Sequence, residues 1–289
     1  MKRKKFWIGF SITIAVVLVL IIVGALVFKV KTVDVEFRSR VNQNETNLSA
    51  GVQAQVENYF KKGKNILFYN TDSDVLEVER NIPYVKVEQV IKYFPNNIRV
   101  YISERIPRFR VQDSNSENSW YILDIDFKVL DKVTTDELTS KVVSGNSNYY
   151  DKTIEIDPEY LKIESYIGEF VTGLDAQKNN LAEIVKGIYG DTKDISTVLK
   201  ISKNSESQNF ELTMKNSGSD SEVGGKILIV GTNNLKEMVF VGIDCYNEYV
   251  LKNAEIDQTT VTIRVEQSGN KYKVFLVTPD SEEEIENQN

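Results

Sequence analysis

From Phe6 to Phe28 the chain carries 23 uncharged residues, FWIGFSITIAVVLVLIIVGALVF, with no polar face at helical spacing. As a helix this run spans roughly 34 Å, enough for a hydrocarbon core of about 30 Å. It is longer than the apolar region of a cleaved signal sequence, about 7–15 residues. Bulky Leu26, Val27 and Phe28 also stand where a peptidase needs small residues. The run therefore reads as a retained transmembrane helix over 6–28. Four positive charges, Lys2 to Lys5, precede it, whereas Lys29, Lys31, Asp34 and Glu36 follow it. The positive-inside rule then predicts residues 1–5 as a cytoplasmic tail and everything after Lys29 outside.

Beyond the anchor the pattern changes to short alternations and helical stripes. Val33, Val35 and Phe37 alternate with Asp34 and Glu36, as in a half-buried strand. Ser49 is placed to cap a helix with Val52, Val56, Tyr59 and Phe60 on one face, and Gly63 follows as a left-handed terminator. Thr71 or Asp72 caps a second helix, which must stop near Asn81 because Pro83 disfavours helical geometry at Ile82. Val85 to Phe94 reads as a strand and Pro95 to Asn97 as a turn. Ile98, Val100 and Ile102, alternating with Arg99, Tyr101 and Ser103, then read as a two-faced strand. Glu104 and Arg105 read as solvated or weakly paired residues at a sheet edge.

From Arg108 to Val277 the chain is strand-rich with two helical interruptions. Trp120–Leu123 and Lys128–Leu130 predict a hairpin around Asp124-Ile125-Asp126-Phe127. Residues 136–148 and 202–207 read as polar loops, and 216–225 as a mobile one. Strands are expected at 154–156, 161–163, 191–201, 209–214, 225–231, 260–265 and 271–277. Helical stripes occupy 174–189 and 235–249, and residues 278–289 are expected to form a disordered acidic tail.

Composition narrows the chemistry. The net charge is −7, and the residues after Lys5 carry −11, so nucleic acid is excluded as a partner. The chain has no histidine and one cysteine, Cys245, which removes histidine-based catalysis, a disulfide and a thiolate zinc site. Asp124, Asp126 and Asp131 lack the glycine turn and the ligand number of a calcium loop. Cys245 reads as a small buried hydrophobe. No catalytic residue, metal, cofactor or small-molecule substrate is assigned.

Several motifs fall in a fixed order: Gly63-Lys64-Asn65-Ile66, Asn81-Ile82-Pro83-Tyr84-Val85, Tyr93-Phe94-Pro95-Asn96, and Glu104-Arg105-Ile106-Pro107. Directly after an anchor, they resemble the POTRA domain of the DivIB/FtsQ cell-division family. Farther on, Trp120, Tyr121, Leu123, Asp124 and Val129 resemble that family's next hairpin, with Phe127 where the family has glycine. Val261 to Gly269 resembles the end of its β-domain. The resemblance implies an α+β protein: a single N-terminal transmembrane helix, a small β-α-α-β-β POTRA domain over 31–107, and a mixed strand-rich β-domain with helices over 108–277. It also implies a non-catalytic bitopic scaffold of the bacterial divisome at the septum, embedded in the cell membrane and joining FtsL and DivIC/FtsB-type partners. The alternatives are another POTRA-bearing membrane protein, of secretion or sporulation, and a membrane-anchored cell-wall hydrolase. For partner binding the expected surface is an unblunted edge strand made by Thr260, Val261, Thr262, Ile263, Arg264 and Val265, with Lys271–Val277 as the other candidate.

Overall fold

A computed structural model describes residues 2–38, 48–49, 51–140, 142–143, 146–148, 150, 153–189, 197–204, 207–216, 223–253 and 256–285. The apolar run forms one helix, α1 (Lys2–Val27). Its segment Phe10–Val27 is long and apolar enough to cross a membrane, and the protein buries none of it. A core helix of a soluble domain would be covered by protein, whereas Trp7, Val17 and Leu26 are all exposed. The chain divides into two compact units, Met1–Arg105 and Ile106–Asn289.

After α1 the first unit runs β1 (Thr32–Phe37), α2 (Val52–Tyr59), α3 (Asp72–Asn81), β2 (Val85–Tyr93) and β3 (Asn97–Glu104). The sheet order is β1-β3-β2, with β1 parallel and β2 antiparallel to the central β3. The alternation in β3 explains its place. Ile98, Val100 and Ile102 are fully buried, while Arg99, Tyr101 and Ser103 lie on the other face. Val52 and Val56 of α2 and Val78 of α3 complete the core. Asp74 is buried on α3 and accepts a hydrogen bond from the Tyr69 hydroxyl. Burial, reinforced by that carboxylate, holds the Tyr69 phenol well above its ordinary range.

One local expectation is corrected and two are met in part. Ser49 does not cap α2: the cap position is Gly51, at φ 87°, with no side-chain cap. Ser49 instead offers its carbonyl to the Val52 N–H at 3.1 Å and its hydroxyl to Gln55 at 3.3 Å. Thr71 stands at the cap of α3 without a capping hydrogen bond, and Asn70 Oδ1 accepts the Asp72 N–H at 2.9 Å. Gly63 is left-handed, φ 85°, but lies beyond the end of α2, where its N–H donates to Val30 O at 2.8 Å. Here the backbone crosses the exit of the apolar helix, and a Cβ would strain the turn.

The second unit comprises β4 (Phe109–Asp113), β5 (Ser116–Leu123), β6 (Val129–Thr134), α4 (Thr135–Ser140), β7 (Val142–Val143), β8 (Asn146–Asn148), β9 (Ile154–Ile156), α5 (Asp175–Tyr189), β10 (Val198–Lys203), β11 (Phe210–Lys215), β12 (Val223–Val230), α6 (Leu235–Cys245), a π-helical turn (Tyr246–Leu251), β13 (Thr262–Ser268), β14 (Lys271–Val277) and β15 (Glu282–Ile285). Ten of these strands form one sheet in the order β15-β14-β13-β12-β11-β10-β9-β4-β5-β6; β7 and β8 pair separately. α6 lies across β12, β13 and β14 and packs on α5. Leu181, Ile184 and Val185 of α5 meet Met238 and Val239 of α6 in the largest apolar cluster.

Several expectations for this unit change. Residues 136–148 are not simply loop, since α4, β7 and β8 occupy described parts of them. Residues 161–163 are buried at Leu161 and Ile163 but form no strand. The expected loop at 202–207 begins later, because β10 continues to Lys203. The expected mobile segment lies largely outside the described residues. The acidic tail is not wholly unstructured: Glu282–Ile285 form β15.

The turn after β5 is built without the expected glycine. Phe127 adopts φ 60°, a left-handed conformation that disfavours a Cβ by roughly 1–2 kcal/mol. Its ring is nonetheless buried and stacked on Phe109, with centroids 5.2 Å apart. Burying a phenylalanine contributes about 1.5–3 kcal/mol, which offsets the strain. Asp124 Oδ1 closes the same turn by accepting the N–H groups of Asp126 at 2.9 Å and Lys128 at 2.8 Å.

Candidate partner-binding edge

Of the six residues expected at a sheet edge, Thr262, Ile263, Arg264 and Val265 lie in an interior strand, and Thr260 and Val261 lead into it. Thr260 ends a turn in which its N–H donates to Asp257 O at 3.2 Å. Val261 precedes the strand, is buried, and accepts the Lys226 N–H at 3.0 Å. Thr262, Ile263, Arg264 and Val265 open β13, which pairs in parallel with β12 and antiparallel with β14. The register sets Ile263 beside Ile227 and Leu276, and Val265 beside Ile229 and Val274. The edge assignment is therefore corrected: both sides of the strand are occupied. The second candidate, β14, is covered too, because β15 pairs antiparallel along Val274–Val277.

The local sequence explains why β13 is central. Ile263 and Val265 are fully buried beneath α6, and Gly242 brings that helix close. A Cβ at Gly242 would stand 2.6 Å from Ile227 Cγ2 and 3.2 Å from Val265 Cγ2. Only glycine fits there without moving the helix or its neighbours. Tyr246, buried at the end of α6, accepts the Gly225 N–H at 3.0 Å and fastens the helix to β12. Burial raises the pKa of its phenol.

On the opposite face, Arg264 organises the sheet end. Its Nε lies 2.9 Å from Glu266 Oε1, its Nη2 lies 2.5 Å from Glu282 Oε1, and its guanidinium stands 4.4 Å from the Phe275 ring centroid. Lys273 of β14 pairs with Glu284 of β15 at 3.2 Å. Partly exposed pairs of this kind contribute about 0–1 kcal/mol each, so they guide β15 into register more than they hold it. The edge is thus β15, a short strand carrying Glu282, Glu283 and Glu284. Charged residues on a short edge strand are a recognised way of blunting it. Among the described residues no strand pairs with its outer side. At the other end of the sheet, β6 is partly covered by the 168–170 segment: Val129 donates to Glu169 O at 2.9 Å and accepts the Gly168 N–H at 2.8 Å.

β15 was missed because Glu-Glu-Glu-Ile shows no apolar alternation. A signal did exist: Thr278-Pro279-Asp280-Ser281 has the composition of a hairpin turn directly after β14. In the structure the Thr278 N–H donates to Ser281 O at 2.9 Å.

The remaining chemical candidates have structural partners. Asp124 closes its turn, and Asp131 accepts the Tyr150 hydroxyl at 3.1 Å. Among the described residues no cluster of three acidic, cysteine or histidine side chains could hold a metal ion. Cys245 is buried in α6, and burial, with a smaller effect of Asp244, pushes its thiol up to about 11. Such a thiol is unreactive near neutral pH. No family model matches the chain, and no curated protein matches it.

Proposed function

We propose that this chain is a non-catalytic, single-pass membrane scaffold of the DivIB/FtsQ kind, gathering FtsL and DivIC/FtsB-type partners outside the cytoplasm during septum formation. The observation that carries the reading is the coincidence of motif and structure directly after the apolar helix. The motif ending at Val85 spans the α3-to-β2 step, the Tyr93–Asn96 motif forms the β2–β3 turn, and Glu104-Arg105 closes β3. This β-α-α-β-β unit is the proposed POTRA domain. The excess of positive charge before α1 supports an N-terminus in the cytoplasm.

A scaffold needs a surface rather than a reactive centre, and a tethered one raises the effective concentration of its partners. Strand addition at the end of the large sheet would proceed on the outer side of β15. Main-chain groups there would supply affinity, and the blunting glutamates would restrict addition to a partner strand that is not itself acidic. The test is co-purification of the tagged full chain from solubilised membranes. FtsL and the DivIC/FtsB-type protein should be recovered with it in comparable amounts. Recovery of neither, from membranes that contain both, would count against the scaffold reading.

A further inference from the structure

The apolar helix enters the first unit without a linker. The Phe28 N–H still donates to Gly24 O at 3.0 Å, continuing the helix. The next residues are already part of the domain. Ile66 N–H donates to Phe28 O at 2.7 Å, Val30 N–H to Lys64 O at 2.8 Å, and Lys31 N–H to Asn96 O at 2.8 Å. Val30 is buried in the core of the unit, and the Phe28 ring stands edge-on to Phe94, with centroids 6.4 Å apart. Two loops, 63–68 and 93–96, are thereby fixed beside the point where α1 ends.

These two loops carry large apolar side chains into solvent. Phe68 is 85% exposed, Phe94 59%, Leu67 48% and Tyr93 42%. Phe94 touches Phe28 and Tyr93 lies under the Arg99 guanidinium, yet each leaves much of its ring in solvent, and exposed apolar groups gathered in one place mark an interaction site. Phenylalanine and leucine beside a membrane helix suit the boundary between headgroups and acyl chains, and the Tyr93 ring suits the headgroup level itself. The surroundings are basic in an otherwise acidic chain: Lys29, Lys31, Lys61 and Lys64 are all exposed.

We infer that this face of the first unit, with Phe68 and Phe94 at its centre, lies in the membrane surface. The aromatic rings enter the headgroup region of the outer leaflet, and the lysines meet anionic headgroups. The partner is a lipid surface, argued from continuity with the apolar helix and from complementary charge. Buried apolar area plus electrostatic attraction is the general basis of such interfacial binding. The unit would then be held in a fixed pose on the bilayer rather than swinging on a tether. The inference rests on α1 crossing the membrane, but not on the divisome reading.

The test uses the full chain in vesicles of phosphatidylcholine and phosphatidylglycerol. Single nitroxide labels are attached at F68C, Y93C, R38C and V17C. Native Cys245 is buried and labels slowly, so the unsubstituted chain serves as the blank. Arg38 lies past the far end of β1, about 20 Å from Thr32 for six residues of strand, and reports bulk water. Val17 reports the middle of α1. Labels at 68 and 93 should collide with dissolved oxygen readily and with an aqueous nickel chelate several-fold less than the label at 38. A label at 68 that meets nickel as freely as the one at 38, while 17 remains lipid-exposed, overturns the inference and leaves the anchor standing. Low accessibility to both reagents at 68 means that another protein copy covers the face, which also overturns it. Nickel access at 17 removes the anchor and the inference together.

Discussion

Replacing Val265 with proline should prevent the second unit from folding. Val265 is fully buried, lies in the middle of β13, and has paired strands on both sides. Proline is confined to edge strands and strand starts because it lacks an N–H and its ring crowds the neighbouring strand. The substitution belongs among those that cost about 4 kcal/mol or more. Removing residues 279–289 should act quite differently. It takes away β15, an exposed four-residue strand held partly by surface ion pairs, and leaves β14 as the edge. Urea unfolding followed through Trp120, which lies in β5 of the same sheet, separates the two cases. The truncated chain should keep a cooperative transition and V265P should show none. A cooperative V265P transition near the unsubstituted midpoint would mean that β13 is not an interior strand.

Arg105→Ala should destabilise the first unit by about 3–5 kcal/mol, the usual cost of removing one partner from a buried ion pair. Arg105 Nη2 stands 3.0 Å from Glu79 Oε2, and the two side chains are only 3% and 13% exposed. The other oxygen of Glu79 accepts the Val87 N–H at 2.9 Å, so this carboxylate joins α3, β2 and the end of β3. Alanine would leave the carboxylate in a largely desolvated position without the guanidinium. The double replacement Glu79→Leu with Arg105→Met should recover most of the loss, because a packed apolar pair replaces a buried ionic one at little net cost. Hydrogen exchange at Val100 and Ile102, in the central strand, reads the effect in the full chain. Unchanged protection in R105A would show that the pair contributes nothing.

These two sites also mark where sequence reading ends. Local period was legible. The alternation of Ile98, Val100 and Ile102 gave β3, and the stripe Leu181, Ile184, Val185, Ile188 gave α5, because burial on one face writes itself into adjacent residues. Pro83 placed the end of α3 through the geometry it imposes on Ile82. Long-range pairing was not legible. Glu79 and Arg105 lie 26 residues apart, and nothing local shows that they meet in a buried position. A reading of Arg105 as solvated follows from its charge alone. Edge or interior is likewise a property of neighbours: β13 has the composition of either, and only the arrival of β12, β14 and β15 decides. The Ser49 expectation failed because α2 starts two residues later, after left-handed Gly51, whereas Thr71 holds the cap position of α3 and Asn70, one residue earlier, supplies the side-chain oxygen to the Asp72 N–H. At Phe127 the turn kept its left-handed residue without glycine, since the energy of ring burial opposes backbone strain.

The scaffold reading stands or falls most directly on where the full chain gathers in a dividing cell. A fluorescent protein joined ahead of Met1, on the side proposed to be cytoplasmic, should collect in a band at mid-cell as division begins, and the band should vanish when the FtsL-type partner is depleted. An even distribution around the cell perimeter through the whole division cycle, with the fusion intact and membrane-bound, would contradict it.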